Sequence, residues 1–199
     1  PDSVIANEPD TPSEDPKPTE EPAEEEERTE PEEPKSRYMW CLDNGDGKAT
    51  PGKRSPVFEV DGVRQQLLEY EFNRAIVSRI IAGLKEKNIE FFNVVPEVEG
   101  DVSLSERVHR ANTLDTDLPK IYVSVHSNAG PVGPDGWSPD SISGVETWYF
   151  HSSRKGRKVA AVFQKHIVAA TGWKNRHIKS KPSGQFYVLR NTTMPAVLT

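Results

Sequence analysis

Between residues 8 and 34 the chain carries no apolar side chain larger than Ala23 apart from its prolines, and from residue 38 onward apolar positions return in two patterns. The first is the short run. Residues 38–42 (Tyr-Met-Trp-Cys-Leu) are stopped by Asp43-Asn44-Gly45-Asp46-Gly47, a segment of turn-forming residues, so a strand entering a tight turn is predicted. Further strands are predicted at 91–95, 121–125, 145–150, 186–189 and 196–198, and the β-branched run 121–125 is of the kind found in buried parallel strands. The second pattern is one-sided. At 100° per residue, Phe72, Ile76, Val77, Ile80 and Leu84 share a stripe about 140° wide, which predicts an amphipathic helix over 65–87. Ser103-Leu104-Ser105-Glu106 is a capping box opening a second helix to about Asn112, and a third is predicted over 158–171, ended by Gly172. Polar loops fill the stretch to about Arg64 and residues 130–143. Strands alternating with helices predict a single α/β domain with a twisted, mostly parallel sheet and helices on both faces.

Charge divides the chain at the same place as hydropathy. Residues 1–37 hold 14 Asp and Glu against 4 Lys and Arg, and 8 of the 17 prolines. Such a segment cannot offset roughly 1–2 kcal/mol of conformational entropy per ordered residue, so 1–37 is expected to be a disordered, self-repelling acidic linker. Residues 38–199 carry a net charge of +4. Cys41, the sole cysteine, sits in the first apolar run and reads as a small buried side chain; no intrachain disulfide forms. No charged start precedes an apolar h-region, and no run approaches the ~18 residues of a membrane span. The basic positions 154, 155, 157 and 158 lack the aromatic interleaving of a nucleic-acid site and read as a solvated helix start.

Sheets of this class bind ligands beyond the carboxyl ends of their strands. Two strand ends there are rich in polar groups: Asp43, Asn44 and Asp46 after the first strand, and His126, Ser127 and Asn128 after 121–125. Glu69 lies in the middle of the apolar stripe of the 65–87 helix, whereas Glu71 lies on the opposite, solvated side. An inward carboxylate is costly unless a cation or donor compensates it. A buried Glu or His alone is more often a satisfied structural group than a ligand, but at one sheet edge the two describe half of a metal site with a position open for water. Glu146 either faces that site or is solvated on the far side of its strand. His109, His166 and His177 read as surface residues, His151 as a better candidate for substrate contact, and Trp137 either stacks on a sugar or pins its loop.

The strand followed by DNGDG, the glutamate in LLEYEFNRAI, then SLSERVHRAN, IYVSVHSNA, GVETWYF and VLRNTTMPAVL occur in the order found in the zinc-dependent N-acetylmuramoyl-L-alanine amidases. The chain resembles that family from about Tyr38 to Thr199. The resemblance implies a Zn2+ ion held by a histidine, a glutamate and a second histidine, and maps the last two onto Glu69 and His126. Asp46 stands where the family's DxGHG motif has its first histidine, so the expected third ligand is a harder, anionic oxygen. The family's catalytic glutamate follows the final strand, which puts it beyond Thr199 and leaves 38–199 without its C-terminal end. The implied activity is hydrolysis of the amide between N-acetylmuramic acid and L-alanine in peptidoglycan, in the cell envelope, periplasmic or secreted. A monomer is expected, with no nucleic-acid partner. The alternative, favoured by Asp46, is a catalytically inactive amidase-like domain that binds cell wall or a protein partner.

Overall fold

The structure, a computed structural model, describes residues 36–128, 130–183 and 186–199. The expected linker at 1–37 lies outside these residues except for its last two positions. Six strands, β1 (Met39–Asn44), β4 (Phe91–Asn93), β5 (Lys120–Val125), β6 (Val145–Tyr149), β7 (Asn175–Lys179) and β8 (Ala196–Leu198), form one sheet in the order β4-β1-β5-β8-β6-β7. Neighbours pair in parallel except β6 with β8, so β6 and β7 run against the other four strands. A separate hairpin joins β2 (Phe58–Val60) to β3 (Val63–Gln65).

The helices divide between the two faces as strand alternation requires. On β5, Ile121, Val123 and Val125 point to α1 (Glu69–Glu86) and α3 (Arg154–Thr171), where they meet Leu42, Val77, Ala160 and Val197. Tyr122 points the other way, with Cys41, Leu198 and residues of α2 (Leu104–Thr113) and α4 (Tyr187–Asn191). Burial of Cys41 pushes its thiol up to about 11, which suits packing and not nucleophilic attack.

Five features differ from the sequence expectation. Residues 186–189 are not a strand: Phe186 caps α4, whose Val188 and Leu189 are buried, and a four-residue apolar run does not by itself distinguish strand from helix. Helix α1 starts at Glu69 instead of residue 65, because Gln65 belongs to β3 and Leu68 bridges Arg54. Helix α3 starts four residues early, its Gly156 amide capped by the Ser153 hydroxyl at 2.9 Å. The β2–β3 hairpin stands where a polar loop is expected up to about Arg64, and edge strand β7 lies in a stretch for which the sequence pattern predicts no element. The hairpin turns at Asp61-Gly62, both with positive φ (52° and 76°), and β7 is polar and half exposed.

One buried ion pair crosses the α2 face. Arg107 and Asp43, each 1% exposed, meet at 2.6 Å. The second oxygen of Asp43 accepts from Tyr122 Oη at 2.9 Å and Ser124 Oγ at 2.8 Å. The guanidinium also donates to the carbonyl of Val102 at 2.8 Å, to that of Asp46 at 3.2 Å, and to Asp101 Oδ1 at 3.2 Å. Replacing Arg107 with Met strands a buried carboxylate, so urea unfolding should show a loss of about 3–5 kcal/mol. The double change Arg107→Met, Asp43→Asn should recover part of that loss.

Candidate active site

Three donors converge at the carboxyl rim of β1 and β5. Asp46 comes from the turn after β1, Glu69 is the first residue of α1, and His126 follows β5. His126 Nδ1 lies 3.1 Å from Glu69 Oε1 and 3.2 Å from Asp46 Oδ2, and one ligand atom from each residue falls within 4.8 Å of the others. Glu69 is buried, as its place in the apolar stripe predicts, and Glu71 is exposed. Glu69 Oε1 also accepts the Ser127 amide at 3.0 Å, and its own amide donates to the Lys53 carbonyl at 3.0 Å. The Lys53 ammonium lies 3.7 Å from both Asp46 Oδ2 and Glu69 Oε2.

The turn that presents Asp46 is held from three directions. The Gly45 amide donates to the Val125 carbonyl at 3.1 Å, Asn73 of α1 donates to the Gly45 carbonyl at 3.0 Å, and Arg107 of α2 holds the Asp46 carbonyl. Asp46 adopts φ 63°, a left-handed conformation that Asp tolerates better than most residues. Gly45 is required by space: a Cβ there would lie 2.2 Å from His126 Nε2.

The electrostatics follow from crowding. Burial alone would lower the basicity of His126, but its hydrogen bond to Glu69 and the negative charges of Asp46 and Glu69 prevail and raise it to about 9. Burial would likewise raise the Asp46 carboxyl, yet the neighbouring imidazole and the Lys53 charge hold it below the ordinary range. Asp46 Oδ2 is buried and meets no donor in hydrogen-bonding geometry. An imidazole nitrogen, two carboxylate oxygens and one of them orphaned fit a divalent cation of the zinc class.

Glu146 is buried and faces the site end of the sheet, since β6 starts where β5 and β8 finish. Its Oε1 accepts from Asn128 Nδ2 at 2.7 Å and Trp148 Nε1 at 2.8 Å; its Oε2 pairs with Arg176 at 2.8 Å and Lys179 at 2.5 Å. Burial opposes ionisation, but Lys179, Trp148 and Arg176 hold its carboxyl down at about 2. The same reversal carries His151 to the opposite rim, beside Phe150, away from the cluster. His109, His166, His177 and the basic residues 154, 155, 157 and 158 are exposed. Arg107, Asn73 and Glu146 are the residues that sequence reasoning missed or left open; the available signal was an arginine on the apolar face of α2 with Val108 and Ala111.

Two depressions flank the ridge His126-Ser127-Asn128. One, of about 540 Å3, is an apolar groove between α1 and α3 walled by Phe72, Ile76, Phe163 and Ile167. The other, of about 270 Å3, is a cleft floored by Glu69, Ser127 and Asn128, with Lys53 and Trp137 on its walls.

Residues 41–199 match the N-acetylmuramoyl-L-alanine amidase family, and the chain belongs to it. Similar solved structures include an N-acetylmuramoyl-L-alanine amidase from Clostridium difficile 630 (26% identity, 82% of this chain and 78% of that one, TM-score 0.63). The catalytic domain of the amidase CwlV from Bacillus (Paenibacillus) polymyxa var. colistinus is 29% identical over 81% of this chain and 78% of its own, with a TM-score of 0.59. The amidase AmiC2 of Nostoc punctiforme is 26% identical over 83% and 79%, with a TM-score of 0.60. No curated protein matches the chain. Among the described residues, no helix is long and apolar enough to cross a membrane.

Gly45→Ala should push the His126 ring out of place and weaken zinc binding by about tenfold or more in calorimetric titration. Gly83→Ala, where an added Cβ meets nothing within 4 Å, should leave it unchanged. A depressed carboxylate stabilises the fold above its unfolded value of 4.5 and loses that contribution as pH falls towards about 2. The melting temperature of the parent should therefore exceed that of Glu146→Gln most at pH 5–7, and the gap should close towards pH 2.

Proposed function

We propose that this chain acts on bacterial peptidoglycan, hydrolysing the amide between N-acetylmuramic acid and L-alanine, with zinc held by Asp46, Glu69 and His126. The observation that carries the reading is the meeting of those three donors, one of them an orphaned buried oxygen, at the rim of an amidase-family sheet. Zinc in such a site supplies Lewis-acid polarisation of the scissile carbonyl and acidification of water. The residues contribute position and charge. Glu69 is fixed by the Ser127 amide and by the start of α1, so its second oxygen is presented without rotamer freedom. His126 is fixed by Gly45 packed against its ring and by its own amide, which donates to the Thr199 carbonyl at 2.8 Å. Asp46 replaces an imidazole with a second carboxylate, and Lys53 offsets the repulsion that this adds.

The general acid–base role belongs, on the family pattern, to a glutamate after the last strand. In a form of the chain extended past Thr199, the next residues would emerge beside His126. Such a substrate would put the protein in the cell envelope, periplasmic or secreted. A second reading draws on Lys53: two carboxylates already balanced by an ammonium suit an amidase-like domain that binds cell wall or a protein partner without cutting it.

The test compares the chain, Asp46→His and a version extended past Thr199, scoring zinc content and dye release from labelled peptidoglycan. Asp46→His should raise zinc occupancy, and in the extended form should raise turnover by about 100-fold or more. If the extended Asp46→His protein neither holds zinc nor releases dye, the hydrolase reading fails; peptidoglycan retention without release would establish the second reading.

A further inference from the structure

The 270 Å3 cleft opens beside the donor cluster, with Glu69 forming part of its floor. We propose that it is the glycan subsite, where a pyranose ring of the sugar strand stacks on Trp137. This rests on the amidase reading, which supplies the ligand class but says nothing of where on this chain the sugar lies.

Contiguity comes first. In the substrate, the lactyl group of the muramic acid ring carries the scissile carbonyl, so that ring must lie within about one sugar's width of the donor cluster. The two depressions beside the His126-Ser127-Asn128 ridge satisfy this, and a third, lined by Gly47, Thr50 and Tyr70, lies on the far side of Lys53 and reaches neither Ser127 nor Asn128. Chemistry separates the two beside the ridge. The larger groove is walled by Phe72, Ile76, Phe163 and Ile167 and offers few partners for hydroxyl or acetamido groups along its length. The cleft joins an aromatic wall to polar ones: Lys53, Arg54, Ser127 and Asn128 surround the space that Trp137 borders. A pyranose has the matching character, an apolar C–H face bounded by a polar rim.

Trp137 is also held in advance of any ligand. It packs edge-on against Phe58 of the β2–β3 hairpin, with centroids 5.9 Å apart and planes at 65°, yet stays 42% exposed. Its carbonyl accepts the Gly133 amide at 2.7 Å and its amide donates to Asp135 Oδ1 at 3.1 Å. The preceding Gly136, at φ 84°, seats against Pro56, whose Cγ would lie 3.3 Å from an added Cβ. An aromatic ring fixed in this way loses little side-chain entropy when a ligand stacks on it. The hairpin thereby has a function: it supports the tryptophan that faces the cleft.

The experiment titrates the full chain by calorimetry with a peptide-free muramyl disaccharide and, separately, with an L-alanine-headed stem tripeptide. Trp137→Ala should weaken disaccharide binding roughly tenfold, Trp137→Phe by no more than about threefold, and neither should alter tripeptide affinity. An unchanged disaccharide affinity in Trp137→Ala, or an equal loss for the tripeptide, would overturn the proposal. Because the readout is binding, its outcome is separable from turnover. Selective disaccharide loss without peptidoglycan hydrolysis would uphold the subsite and count against the amidase reading; hydrolysis with no effect of Trp137→Ala would do the reverse.

Discussion

The ion pair between Arg107 and Asp43 is the constraint on which the site depends. Taking both ions out of water costs several kcal/mol each, and one contact does not offset that cost. Saturation does: Asp43 also accepts from Tyr122 and Ser124, and the guanidinium spends its remaining donors on Val102, Asp101 and the Asp46 carbonyl. A hydrophobic pair of equal volume would stabilise the sheet as well, but it would leave the Asp46 carbonyl without a donor. The pair's contribution is therefore geometric. It ties β1, β5 and α2 to the one turn whose side chain must meet Glu69 and His126.

Strand direction decides the rest of the site's composition. Because β6 opposes β8, its first residues and not its last arrive at the rim where β5 and β8 end. Glu146 is thus brought beside Asn128, and, held by Trp148, Arg176 and Lys179, it fixes the segment following His126 through the Asn128 amide. A uniformly parallel sheet would have delivered His151 to that position.

Much of this was legible in the sequence wherever a pattern had a single physical meaning. The inward angle of Glu69 on an otherwise apolar stripe, and the place of His126 after a buried β-branched strand, identified two of the three converging donors. Asp46 came from family resemblance, since nothing about an aspartate in a glycine turn separates a ligand from a turn former. What the patterns did not carry is instructive. Residues 186–189 are apolar enough for a strand but short enough to coil under α2. Strand β7 lies at the sheet edge and needs few apolar positions, so Asn175–Lys179 carry no strand pattern. The reversal of β6 depends on long-range pairing that no local window contains, and both the open alternatives for Glu146 and the mistaken expectation for His151 descend from it.

The three-residue strand β8 separates two groups of strands that otherwise share no ladder: β4, β1 and β5 on one side, β6 and β7 on the other. Each group can pair early, the first through crossovers made by α1 and α2, the second through α3. Their union must wait until residues 196–198 have left the ribosome and threaded between them. Such a sheet closes from the middle and late, and until then two raw β edges stand open to solvent and to neighbouring chains, the condition under which nascent proteins pair wrongly or recruit chaperones.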